Sequence, residues 1–246
     1  AIGNSALDAN TTAHYNTAVG RDALGANTTA DGNTALGNQA MHANTTGAKN
    51  TAIGYMAGST QTTAAGNVYL GYEAGKVSTG AANVYIGSEA GLAAAAAEGN
   101  VVIGNNAGSS MGDIDANVLI GREAGQYLKH TDTTKNVAIG KQALRGANAD
   151  STAPQNSVAI GYQALSAQTG VSGEVGNTAV GYQAGLAVTT GTQNTLMGYH
   201  AGKAVLGGST NTIIGSEAGK ALNSGGANTI VGRHAAYSLT TGDDNV

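Results

Sequence analysis

The chain has 246 residues, 39 of them Gly, with ten Tyr, one Pro and no Trp, Phe or Cys. That composition excludes a core built from large aromatic side chains and any disulfide framework, so Ala, Val, Ile and Leu must fill whatever interior forms. A net charge of −4, with charged residues at only 11%, supplies no basic stripe for nucleic acid, and no apolar run approaches the ~20 residues of a membrane helix.

One pattern recurs along the whole chain: Asn-x-x-aliphatic-Gly-x-x-Ala. Its glycine, taken as position 0, falls at Gly3, Gly20, Gly37, Gly54, Gly71, Gly87, Gly104, Gly121, Gly140, Gly161, Gly181, Gly198, Gly215 and Gly232. Position −1 is always Ile, Val, Leu or Met, and position +3 is always Ala. Position −4 is Asn at Asn16, Asn33, Asn50, Asn67, Asn83, Asn100, Asn117, Asn136, Asn177, Asn194, Asn211 and Asn228, with Ser157 as the exception. A period of about 17 residues is too short for a helical hairpin and suits one lap of a solenoid. The expected fold is therefore all-β, a parallel β-solenoid (β-roll) of about fourteen ~17-residue coils, continuous over residues 1–246 and without caps.

The elements follow in chain order. Each copy carries a short β segment before its Gly, from Thr17-Ala18-Val19 through Asn-Val-Tyr-Ile-Gly at 83–87 to Thr229-Ile230-Val231. Side chains in a strand alternate faces. The aliphatic residue at −1 and the Thr or Val at −3 are expected to point inward, with −2 (Ala18, Tyr69, Tyr85, Leu119) outward. Gly at 0 marks a bend, and Ala at +3 a tight corner. A second Gly often stands at +4, as at Gly58, Gly75 and Gly91; elsewhere this position is mostly Leu or Met. Three longer spacings between 121 and 181 predict loops that bulge from the array, one holding Pro154. The final coils return to the period of 17. Val246 placed before Ala1 would complete another motif in phase, so head-to-tail stacking of copies, or a longer array of which this is a part, is expected.

Stacking puts like residues above like at about 4.8 Å. The Asn column should then form a structural ladder whose amides donate to the next coil and satisfy turn carbonyls. The Tyr residues at +1 (Tyr55, Tyr72, Tyr162, Tyr182, Tyr199) should form exposed columns suited either to surface or glycan binding or to packing between chains. Acidic residues recur at +2 (Asp22, Glu73, Glu89, Glu123, Glu217) and read as a solvated face. His200 and His234 share +2 two coils apart, too far to bind one metal; His14, His42 and His130 fall in other columns. Asp113 and Asp115 lack the glycine frame of a calcium repeat. Asn10, Asn27 and Asn44 each head an Asn-Thr-Thr glycosylation acceptor pattern. A Thr column at −3 raises ice binding, but Val replaces Thr from Val68 to Val158, and an inward column would not meet ice. No nucleophile–base pair or metal cluster is visible, so no enzyme activity, cofactor or metal is expected.

The string Asn156-Ser157-Val158-Ala159-Ile160-Gly161 resembles the head repeats of trimeric autotransporter adhesins. Strings such as Asn177-Thr178-Ala179-Val180-Gly181-Tyr182-Gln183-Ala184-Gly185 are similar to repeats of bacteriophage tail-fibre and bacterial surface proteins. The resemblance spans all fourteen repeats. It implies a left-handed parallel β-roll, a homotrimer in which three chains share a core, an extracellular location (cell surface, filament or virion), and attachment as the role. The expected function is an extracellular structural fibre segment; a glycan- or surface-binding module is the alternative. The expected partners are further copies of the chain and surface glycans.

Overall fold

The computed structural model describes residues 1–129, 135–146, 154–169 and 174–246. It is all-β: thirteen three-residue strands among the described residues, each ending on the aliphatic position −1. The chain divides into two units, Ala1–Asn117 and Val118–Val246.

In the first unit, β1 (Thr17–Val19), β2 (Thr34–Leu36), β3 (Thr51–Ile53), β4 (Val68–Leu70), β5 (Val84–Ile86) and β6 (Val101–Ile103) pair in sequence order, all parallel. In the second, β7 (Val118–Ile120), β8 (Val137–Ile139), β9 (Val158–Ile160), β10 (Thr178–Val180), β11 (Thr195–Met197), β12 (Thr212–Ile214) and β13 (Thr229–Val231) do the same. Register is strict, position over position: Thr17 faces Thr34, Ala18 faces Ala35 and Val19 faces Leu36. Each strand meets only the coils before and after it, so each unit is a β-solenoid with one lap per repeat.

The face assignment made from hydrophobicity is reversed. In every strand the middle residue, position −2, is buried, while −3 and −1 are half-buried or exposed. Tyr69 and Tyr85 have no exposed surface, whereas Leu36, Leu70 and Met197 are more than two-fifths exposed. The cause is the width of the coil. The interior is shared by position −2, Ala at +3, and positions +4, +7 and +10, and it is too narrow for a branched side chain at every site. Small Ala therefore goes in, and the larger aliphatic residue is left on the outer face of the sheet.

The corners explain the glycines. At position 0 the backbone has φ near +130°, and a Cβ on Gly71 would lie 2.5 Å from the carbonyl oxygen of Gly87 in the next coil. No side chain fits there. Positions +2 and +4 are left-handed in coil after coil and yet are not reserved for Gly: Asp22 has φ 57°, Leu24 φ 50° and Met41 φ 47°. Glycine at +4 consequently answers to space rather than to backbone conformation.

Candidate functional site

The Asn column is a ladder, built as expected but anchored on the main chain. The Asn33 Oδ1 accepts the Asn50 N–H at 2.9 Å, and the Asn50 Oδ1 accepts the Asn67 N–H at 2.8 Å. Each Nδ2 donates to a turn carbonyl one coil on: Asn33 to Gly47 at 2.9 Å, Asn50 to Ala64 at 2.9 Å and Asn83 to Ala97 at 2.7 Å. In the second unit the same bonds run through Asn177, Asn194, Asn211 and Asn228. Asn16 begins the row by holding the Asn33 N–H, and Asn100 holds that of Asn117. Asn136 holds the Ser157 N–H at 2.9 Å and donates to the Pro154 carbonyl. Ser157 interrupts the row: its hydroxyl turns to the Gln155 carbonyl, and among the described residues no side-chain carbonyl accepts the Asn177 N–H.

A second amide row lies at +7 and was hidden in the acceptor patterns. Asn27 and Asn44 are fully buried; the Asn44 Nδ2 donates to the Asn27 Oδ1 at 3.0 Å, and the Gln61 Nε2 donates to the Asn44 Oδ1 at 3.2 Å. The Asn67 Nδ2 reaches the Gln61 Oε1 at 3.3 Å, joining the two rows. Of the three acceptor asparagines only Asn10 is exposed. The signal was present in the sequence as amides at equal spacing, with Gln61 continuing the column where a glycosylation pattern would have ended.

The tyrosines at +1 are placed as expected, on the surface and in register. Tyr55 and Tyr72 stack at 5.3 Å between ring centroids with planes 16° apart. Tyr162, Tyr182 and Tyr199 form a triple stack at 5.1 and 5.4 Å, and the Lys141 ammonium lies 5.7 Å from the Tyr162 ring. Each ring covers one face of its neighbour, so edges, hydroxyls and the outer faces of the end rings are what the stacks leave uncovered. Tyr69 and Tyr85, expected on the surface, are instead core residues with tilted rings 5.8 Å apart. The Tyr69 hydroxyl donates to Ser78 Oγ at 3.3 Å, while the Tyr85 hydroxyl, although close to the Ser78 and Asn100 side chains, makes no hydrogen bond of good geometry. Burial pushes both phenols far above their ordinary range.

Position +2 carries a polar row that sequence reading saw only as scattered charges. The Gln142 Nε2 donates to Glu123 at 2.6 Å, Gln163 to Gln142 at 2.8 Å and Gln183 to Gln163 at 2.7 Å; His200 Nε2 meets the Gln183 Oε1 at 2.9 Å. Glu217 then lies between the two histidines, 3.6 Å from His200 Nδ1 and 3.0 Å from His234 Nε2, with Lys220 at 2.6 Å. Burial, aided by the Lys203 charge, holds the His200 imidazole below its usual value; the Lys220 contact holds Glu217 below the usual carboxylate range. Elsewhere Glu73 pairs with Lys76 at 3.1 Å. The carboxylates of Asp113 and Asp115 accept the N–H groups of Ala96 and Glu98 in the preceding coil. Among the described residues no group of three His, Asp or Glu side chains has metal-binding geometry. His130 lies outside the described residues.

The outer face of the sheet is the remaining surface. Its two rows hold only Thr or Val at −3 and only Ile, Val, Leu or Met at −1, with no charge among them. The outward direction of the Thr column overturns one reason for setting ice binding aside; the interruption by Val68, Val84, Val101, Val118, Val137 and Val158 stands. Comparisons of the chain with protein-family models, with curated proteins and with solved structures find no match.

Proposed function

We propose that this chain is a structural segment of an extracellular fibre or surface filament that serves attachment, and that copies of it associate side by side through the outer face of the sheet. The observation that carries the proposal is the uncharged aliphatic row at −1. Leu36, Ile53, Leu70, Ile86 and Ile103 stand in successive coils of the first unit, with Thr or Val beside each, and face away from the interior. Leu36 and Leu70 are exposed and the three Ile half-buried, and a contiguous apolar strip open to solvent in this way marks association sites. The likeness of the repeats to trimeric adhesin heads, in which three chains share a core, supplies the arrangement: three copies with their aliphatic rows turned toward a common axis. The stiffness of such a fibre would come from the Asn rows. Glycan recognition on the Tyr columns is the weaker alternative, because stacking covers more than half of the ring faces on which sugars pack.

Light scattering tests the association. A mass near three times the 24.0 kDa of one chain is expected, and Ile53→Asp together with Ile86→Asp should return single-chain mass with unchanged circular dichroism. A wild-type protein at single-chain mass across the micromolar range would overturn side-by-side assembly. Imaging for filaments, and a glycan array comparing wild type with Tyr182→Ala, separate a scaffold from a binding module.

A further inference from the structure

The stacked tyrosines are a candidate site of covalent modification. Two phenols couple oxidatively when one-electron oxidation makes both phenoxyl radicals and their ortho carbons meet before the radicals are quenched. The second condition is ordinarily the difficult one, because the rings must find each other by diffusion. Here the search is already complete. Tyr162, Tyr182 and Tyr199 lie in one stack with neighbouring planes 17–18° apart, and Tyr55 and Tyr72 form a second stack at 16°. Each ring is carried at +1, between backbone bonds that tie its coil to the next: the Gly71 N–H to the Ile53 carbonyl and the Glu73 N–H to the Tyr55 carbonyl, both at 2.8 Å. The ladder fixes the two α-carbons one lap apart, so the rings stay within reach of each other. About half of Tyr72 and Tyr199 is open to solvent, so an oxidant can reach them. The buried pair Tyr69 and Tyr85 lacks that access, and Tyr15 stands apart from both stacks.

We propose that the two Tyr stacks are sites of intrachain dityrosine cross-linking, driven by a peroxide-consuming haem peroxidase or an equivalent one-electron oxidant. Each phenol gives up one electron and its hydroxyl proton. The two radicals join through a bond between their Cε carbons, and the hydrogens on those carbons move to the oxygens as the rings regain aromaticity. Per cross-link two phenols lose two hydrogens in all, and one hydrogen peroxide becomes two waters. The product is a carbon–carbon staple between successive coils, in a chain that has no cysteine with which to form a disulfide. This site does not depend on how copies of the chain assemble.

The experiment treats the full chain at low micromolar concentration with haem peroxidase and hydrogen peroxide. Blue dityrosine fluorescence is expected in protein that still runs at single-chain mass under denaturing conditions. After cleavage at Glu174 the peptides bearing Tyr162 and Tyr182 should remain joined, lighter by two hydrogens. Tyr72→Phe with Tyr182→Phe keeps the stacked rings but removes a phenol from every pair, so the intrachain fluorescence should be lost. Tyr15→Phe should leave it unchanged. Cross-links found only between chains, equal yield in the double variant, or coupling of Tyr15 as readily as of Tyr182 would each overturn the proposal.

Discussion

The ring of Tyr69 and the α-carbon of Gly58, one coil earlier, are in such close contact that a methyl group on the glycine would sit 2.5 Å from the ring's Cδ2. The same relation recurs across the fold. Where −2 is Ala, as at Ala18, Ala35, Ala138 and Ala159, position +4 is Leu24, Met41, Leu144 or Leu165. Where −2 is large, as at Tyr69, Tyr85, Leu119, Leu196 and Ile213, +4 is Gly. Gly58 and Gly185 follow Ala52 and Ala179 because Tyr69 and Leu196 of the next coil reach back over them. Gly58→Leu should therefore destabilise by about 2–3 kcal/mol through overpacking, and Tyr69→Ala by about 3–5 kcal/mol through a cavity. Combined, they recreate the Ala–Leu pairing and should cost less than either sum predicts. Denaturant unfolding of the four proteins measures the coupling; strict additivity would contradict the shared space.

Asn50→Ala would leave the buried Asn67 N–H without its acceptor, while the Ala64 carbonyl would keep its second donor, the Gln61 Nε2–H at 3.0 Å. A loss of about 1–3 kcal/mol is expected from the one orphaned group. Ser157→Asn should act in the opposite direction, giving the Asn177 N–H a side-chain acceptor, for a gain of about 1 kcal/mol. Chemical denaturation of both variants checks the pair.

The two core tyrosines should respond differently to loss of the hydroxyl. Tyr85→Phe removes a buried oxygen that makes no well-formed hydrogen bond and should be neutral or stabilising by about 1 kcal/mol, whereas Tyr69→Phe gives up the bond to Ser78 and should be destabilising by a similar amount. Thermal melts of the single variants distinguish the two sites.

Stability should fall on acidification in two stages. His200 is held neutral by burial, so the unfolded chain binds its proton more readily than the folded one, and the contribution is complete above the ordinary imidazole value of about 6.5. It declines as pH drops below that value toward the depressed one. Glu217, lowered chiefly by Lys220, adds a second loss further down, below the ordinary carboxylate range. The groups facing His200 are Gln183, Lys203, Glu217 and Lys220, with His234 reached through Glu217. His200→Gln, which extends the amide row of Gln142, Gln163 and Gln183, should flatten the first stage in pH-dependent melts and leave the second.

Folded protein secreted from a glycosylating cell should carry sugar at Asn10 alone. Asn27 and Asn44 are enclosed, with their Nδ2 groups bonded to the Ala30 and Gly47 carbonyls. Peptide mass mapping that found glycan at Asn44 in soluble, folded protein would contradict the burial.

The period, the parallel stacking and the Asn row were legible because each rests on identity between coils, and stacking converts identity into contact. The orientation of the strand was not legible from hydrophobicity, because Ile53 is more apolar than Ala52 yet lies outside. The narrow interior selects by size. The reciprocal choice of residue at −2 and +4 carried the right answer, since only two side chains that share a space need to trade volume. The amide row at +7 was obscured by a competing pattern, Asn-Thr-Thr, that has its own meaning. The polar row at +2 mixes Glu, Gln and His, which look unlike as letters but offer interchangeable hydrogen-bonding ends.

Because every strand is bonded only to its sequence neighbours, length is a free variable in this architecture. Duplicating or removing a whole lap would create one new junction of the same kind and disturb nothing further away. The corner column behaves in the opposite way. A methyl group at an interior one of those glycines, from Gly20 to Gly87 or from Gly121 to Gly215, would strike the carbonyl of the adjoining lap, so one wrong codon there interrupts the array, while gain or loss of some seventeen codons together does not.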